Sequence, residues 1–256
     1  MKPAWAEIAD KLFDPLRQVA EEVLQSRSVQ LQARSVGIDH PQAAYLALFH
    51  YLQSLQTSQF ANSNGFYSVA VGLLRHSVES LSIVELGLSN HPDAATVQRR
   101  WEGGEQLGEV RRWLESHVWP QYGSGLWDEP WREYFRNLAG AVQPYAHYSR
   151  QLLEWQFSVM PRSSTVEPGS TSLRLTVGVG FPDPVKVSRI SLFQALLGWT
   201  LGRMLTANGH VDQAGLVADI SEWGSALSSS DFLFKSKNWG EELLPTVVFQ
   251  HDYRVQ

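Results

Sequence analysis

Arg75 and Glu79 stand four residues apart within the stretch 66–88, FYSVAVGLLRHSVESLSIVELGL, which is otherwise apolar at helical spacing. Residues four apart share one face of a helix. Charges on an apolar helix must be paired, because an unpaired buried charge is strongly destabilising. The two side chains therefore read either as an ion pair that fixes helix register or, with His76, as the lining of a polar pocket between helices. A second group of residues repeats. Gln98-Arg99-Arg100-Trp101 and Val110-Arg111-Arg112-Trp113 are near-copies. Guanidinium groups bind phosphates and indoles stack on bases, so Arg99, Arg100, Trp101, Arg111, Arg112 and Trp113 are candidate ligand-binding residues. The same pattern arises when Trp packs inward and Arg is solvated, and Glu102, Glu105, Glu109 and Glu115 stand ready to neutralise the patch.

Other chemistries are thinly represented. Arg and His recur at short spacing in Arg34–His40, Arg111–His117, Arg112–His117 and Arg203–His210. Chance alone supplies about one or two such pairs in a chain this rich in Arg. A zinc-hydrolase HExxH, a P-loop, a GxSxG elbow and a GxGxxG dinucleotide loop are all absent. His210-x-Asp212 and His251-Asp252 lack the further ligands a metal needs. Neither a metal nor a cofactor is expected. With no cysteine, thiol catalysis and disulfides are excluded.

At 43% hydrophobic and 18% charged residues, the composition is globular. The formal net charge of -5 argues against general affinity for nucleic acid or acidic membranes. The N-terminal residues carry charges throughout and contain no apolar signal-peptide core. The longest apolar stretch, 190–205, is interrupted by Gln194 and Arg203. A cytoplasmic protein with no membrane contact is expected.

The elements that position these residues announce themselves by capping residues followed by proline. Asp14-Pro15 is read as opening a helix to about Ala33, and Asp39-His40-Pro41 the next. The loop 62–65 leads into the central helix at 66–88. A polar helix after His91-Pro92-Asp93, another over 105–117, one after Asp128-Glu129-Pro130 and a last over 145–157 follow. Trp101, Trp113, Trp119, Trp127 and Trp131 cluster here as core ballast or as an interface. Pro, Ser, Thr and Gly between 161 and 172 mark an internal boundary. The strict alternation over 173–181 predicts a strand, with 232–234 and 246–249 as its partners. Helices are expected over 190–207 and 211–227. The fold class is thus mainly α: an antiparallel helical bundle over 1–160, and a C-terminal segment, 161–256, adding a small antiparallel sheet and two helices. That segment is read as a separate α+β unit or as packed on the bundle in one domain.

The run GLLRHSVES, followed some sixty residues later by YFRNLAGAVQPYAHYS, resembles a family of bacterial helical proteins related to HEPN domains. The resemblance covers about residues 40–157. It places Arg75 and Glu79 on one helix with His147 on a later segment, making these three the catalytic candidates, with Arg112 and His117 a weaker pair. It implies a helical bundle, often dimeric, in a superfamily that includes metal-independent RNases and components of phage defence and toxin–antitoxin systems. The spacing from Arg136 to His147 exceeds the catalytic Arg–His pattern of that family. Three readings stay open: an accessory or defence protein binding RNA or a nucleotide through a polar pocket, a non-enzymatic protein–protein interaction module, or a metal-independent RNase. A protein partner or a homodimer is compatible with each.

Overall fold

The computed structural model describes residues 3–32, 40–145, 149, 152–153, 155–161, 173–177 and 183–230. Eight α-helices are present among them: α1 Ala4–Gln32, α2 His40–Ser63, α3 Tyr67–Leu88, α4 Ala94–Glu102, α5 Leu107–His117, α6 Trp131–Val142, α7 Pro184–Ala207 and α8 Ala214–Ser228. None of the described helices is long and apolar enough to cross a membrane. The central helix forms where its apolar residues predict, and it is the spine of the molecule. α3 packs against α1, α2, α4, α5, α6 and α7. Its neighbour α2 is joined to it by three residues, which makes the two an antiparallel hairpin.

The small C-terminal antiparallel sheet expected from the sequence is not seen. The described C-terminal segment is dominated by α7 and α8, and the segments anticipated as partner strands, 232–234 and 246–249, lie outside the described residues. What is recorded is one short backbone ladder, Phe157–Pro161 (β1) antiparallel to Leu173–Val177 (β2), in register from Phe157↔Val177 to Pro161↔Leu173. β1 begins before the anticipated boundary, so this ladder straddles it. Alternation in sequence identifies a strand but is silent about its partner, and a partner close in the chain costs less closure entropy than a distant one.

Two helix starts also differ. α1 begins at Ala4 and runs through Pro15, which is exposed. A proline inside a helix removes one hydrogen bond, yet the stripe Trp5, Leu12, Leu16, Ala20 and Leu24 stays buried on both sides of it. Packing of that stripe outweighs the local penalty. α7 starts at Pro184 rather than near Ile190. Asp183 is its N-cap, accepting from Val185 N at 3.1 Å and Lys186 N at 3.2 Å.

The far end of α3 is pinned from two sides. Arg27 of α1 donates to the carbonyls of Gly87 and, at 3.2 Å, Ser89, and to Asn90 Oδ1 at 2.7 Å. His210 Nε2 donates to Leu88 O at 2.7 Å. Donors at a helix C-terminus satisfy its free carbonyls and suit its dipole. Close approach of α3 to its neighbours depends on Gly87, where a Cβ would collide with Ala44 Cβ and come within 2.8 Å of Leu24 Cδ2. Gly87→Ala is therefore expected to destabilise the fold by about 1–3 kcal/mol through overpacking, despite alanine's better helix propensity. Urea unfolding measures it, and an unchanged or raised midpoint would show that α1 and α2 can move apart freely.

Candidate functional site

The pair on α3 belongs to a longer polar stripe. Arg75, Glu79, Ser82 and Glu85 follow at spacings of four, three and three residues, and so run along one side of the helix. Arg75 Nη2 lies 2.5 Å from Glu79 Oε1. The other guanidinium nitrogen, Nη1, donates to Gln143 Oε1 in the short 3-10 turn after α6. The Arg75 side chain is 12% exposed and that of Glu79 is 36% exposed, so the pair is lodged between helices with its carboxylate partly wetted.

Further along, α5 supplies Arg111. Its Nε donates to Ser82 Oγ at 3.0 Å and its Nη2 to Val78 O at 3.4 Å, while the guanidinium stands over the Phe135 ring at 5.8 Å. Burial, with Arg75 nearby, pulls Arg111 down to about 10, against the opposing pull of Glu79 and Glu85. Glu85 has no solvent exposure. Trp119 Nε1 donates to Glu85 Oε1 at 2.8 Å. Burial pushes the Glu85 carboxyl up from 4.5 to about 8, opposed by hydrogen bonding from Tyr122 and Trp119 and by the charge of Arg111. Tyr122 is itself driven upward by burial and by Glu85, and its hydroxyl accepts from Asn208 Nδ2 at 2.7 Å.

The result is a seam of polar side chains threaded through an apolar core, from Gln143 at one end to Asn208 at the other. Burial thus favours the protonated form of Glu85, beside the guanidinium of Arg111. Chemically this is an acid beside a cation, a pattern that active sites share. A general acid must reach the atom it protonates, and the Glu85 carboxyl is sealed behind Trp119. A pocket of about 230 Å³ borders Trp119, Trp131 and Arg132, and a groove of about 570 Å³ lies between α1, α2, α7 and α8. Neither is lined by Arg75, Glu79, Glu85 or Arg111.

The remaining sequence-derived residues are dispersed. His147 lies outside the described residues, as do Arg34 and His251. His76 is exposed, edge-on to His50 at a ring separation of 5.9 Å. On α4, Arg99 donates to Ala95 O and Thr96 Oγ1, and Arg100 pairs with Glu105 at 3.5 Å. Trp101 is half-buried against the core. Arg112 turns outward to pair with Glu109, opposite in sense to its neighbour Arg111. Trp113 stacks on His117 with ring centres 5.1 Å apart and planes 13° apart, and His91 meets both edge-on. Arg112 and His117 thus engage different partners. Arg203 donates to the carbonyls of Tyr122 and Ser124, and it lies against the Trp131 and Trp199 rings. Among the described residues, no group of three His, Asp or Glu side chains is placed to hold a metal ion.

Glu85 and the inward role of Arg111 escape a reading that stops at the Arg75–Glu79 pair. Extending the same three-and-four spacing by two more steps would have reached Ser82 and Glu85. Set against protein-family models, curated proteins and solved structures, the chain matches none of them.

Proposed function

We propose that the protein acts by association rather than by catalysis, as a helical interaction module whose docking surface is the outer face of the α2–α3 hairpin and whose partner is a second copy of the chain. The observation that carries this reading is an absence of charge combined with exposed apolar side chains. From His40 to Leu74 there is no Asp, Glu, Lys or Arg, although such residues make up 18% of the chain. On the exposed side of that hairpin stand Leu46 at 58%, Phe49, Phe60 at 66%, Phe66 and Val69 at 50% exposure. On α2, positions 46, 49, 53 and 60 fall within one narrow sector of the helix, and 69, 73 and 76 do the same on α3, with Phe66 immediately before its first turn.

Depletion of charge with enrichment in Phe is the composition of an interface core, not of an ordinary wetted face. The five side chains present on the order of 500 Å² of apolar surface, the size of the largest patch on a typical monomer, which is often functional, and short of the ~800 Å² per partner of a stable interface. Uncharged neighbours, Gln53 and Thr57 on α2 and the His50–His76 pair, would complete the rim. A face without charge is compatible with itself, since two-fold pairing brings no like charges together. The polar seam supports the same reading from the other side, because its charges are consumed in holding α3, α5 and the turn at Gln143 in register.

Light scattering after size exclusion tests this. A dimer that dissociates on dilution is expected. A monomer at every concentration, or binding of ATP or single-stranded RNA that is abolished by Arg75→Ala, would overturn the reading.

A further inference from the structure

We infer that His50 and His76 together form a binding site for one divalent transition-metal ion. The two histidines stand on different helices of the α2–α3 hairpin. Both are exposed, with their rings edge-on and the ring centres 5.9 Å apart. Imidazole nitrogens hold zinc, copper and nickel, at about 2.0–2.1 Å for zinc. Two imidazoles sharing one ion near the tetrahedral angle have ring centres roughly 5 Å apart. A small rotation of two exposed side chains therefore closes the site.

The hairpin holds the pair in place. The residue after each histidine, Tyr51 and Ser77, has no solvent exposure, and Ser58 Oγ donates across the hairpin to Ala70 O at 2.9 Å. Ligands carried on two packed helices lose little freedom on binding. Their nitrogens are also uncommitted: among the described residues, neither ring has a hydrogen bond or an ion pair. The other close pair differs. His91 and His117 have ring centres 5.6 Å apart, but His91 Nδ1 accepts from Asp93 N at 3.2 Å, which leaves the proton on its Nε2. No Lys or Arg between His40 and Leu74 repels a cation, and Arg75 is neutralised by Glu79. Among the described residues no His, Asp or Glu joins the pair as a third ligand. Two protein ligands fall short of the three or four of a resident zinc site, so water fills the other positions and the ion exchanges freely.

Calorimetric titration of the untagged full chain with nickel, zinc and magnesium chlorides tests this. One nickel or zinc ion per chain is expected, with Kd on the order of 10 µM, and no binding of magnesium, which prefers oxygen ligands. His50→Ala and His76→Ala should each weaken nickel binding at least about tenfold, and the double variant should abolish it with an unchanged melting temperature. His91→Ala should leave it intact. No nickel or zinc binding at about 1 mM, binding that survives the double variant, or binding lost in His91→Ala would overturn the inference. The site needs one chain only, so Phe60→Glu should bind nickel as the wild type does, and loss there would overturn the assignment to a single chain. The dimer reading is decided separately, by association measured in EDTA.

Discussion

Glu85→Gln is expected to remove a loss of stability that the native protein undergoes as pH rises from about 5 to beyond 8. The Glu85 carboxyl is raised in the folded state from 4.5 to about 8 by burial. Between those two values the folded protein holds a proton that the unfolded chain releases. Stability from this group is therefore complete below the unfolded value and is lost as pH climbs through the folded one. The total is a few kcal/mol, on the order of 3–5. His210 acts in the opposite sense. Burial lowers it from 6.5, so its contribution is destabilising only on the acid side, as pH falls through the ordinary imidazole range. Urea midpoints above pH 6.5 thus isolate Glu85. Glutamine can still accept from Trp119 Nε1 and cannot ionise, so its stability should be flat across that window. A native profile equally flat there would mean that Glu85 is ionised in the fold, with the seam a conventional buried ion pair.

The second large effect separates two adjacent arginines. Arg111→Ala is expected to cost about 2–4 kcal/mol, because it removes the donor to Ser82 Oγ and an additional donor to Val78 O, and leaves a void over Phe135. Arg112→Ala should change stability by no more than about 0.5 kcal/mol, since its partner Glu109 is on the same exposed turn. Thermal or urea unfolding of the two variants side by side reads the difference. Equal small effects would place Arg111 on the surface with its neighbour, as an exposed phosphate-binding patch would require.

That contrast also says where sequence reading succeeds and stops. The helix α3 was legible because its apolar residues cover most of its circumference, a pattern that only a buried helix sustains. The pairing of Arg75 with Glu79 was legible for the same reason: inward charges four apart have each other as nearest partners. Arg111 was not, because Arg-Arg in sequence looks like one patch, whereas successive helical residues point about 100° apart. Only burial of Val110 and Leu114 on either side decides which arginine turns inward. Glu85 was missed because its partners, Trp119, Tyr122 and Arg111, come from elements far away in the chain. Pro15 shows the opposite failure, a strong local signal overruled by the packing of a continuous stripe. Asp183-Pro184 carries a valid N-terminal signal that lies ahead of the helix start expected from the apolar run at 190. The uncharged run from His40 to Leu74 was in plain view, but an absence draws less attention than a motif.

The central claim, association of two copies through the outer face of α2–α3, is most directly tested by sedimentation velocity on the wild type and Phe60→Glu at on the order of 50 µM. Phe60 is 66% exposed, so the substitution disturbs no core contact. The wild type is expected to sediment as a dimer and Phe60→Glu as a monomer with the same helical circular dichroism, because two-fold symmetry places two new carboxylates in one apolar interface. A monomeric wild type, or a variant that remains a dimer, would contradict the account.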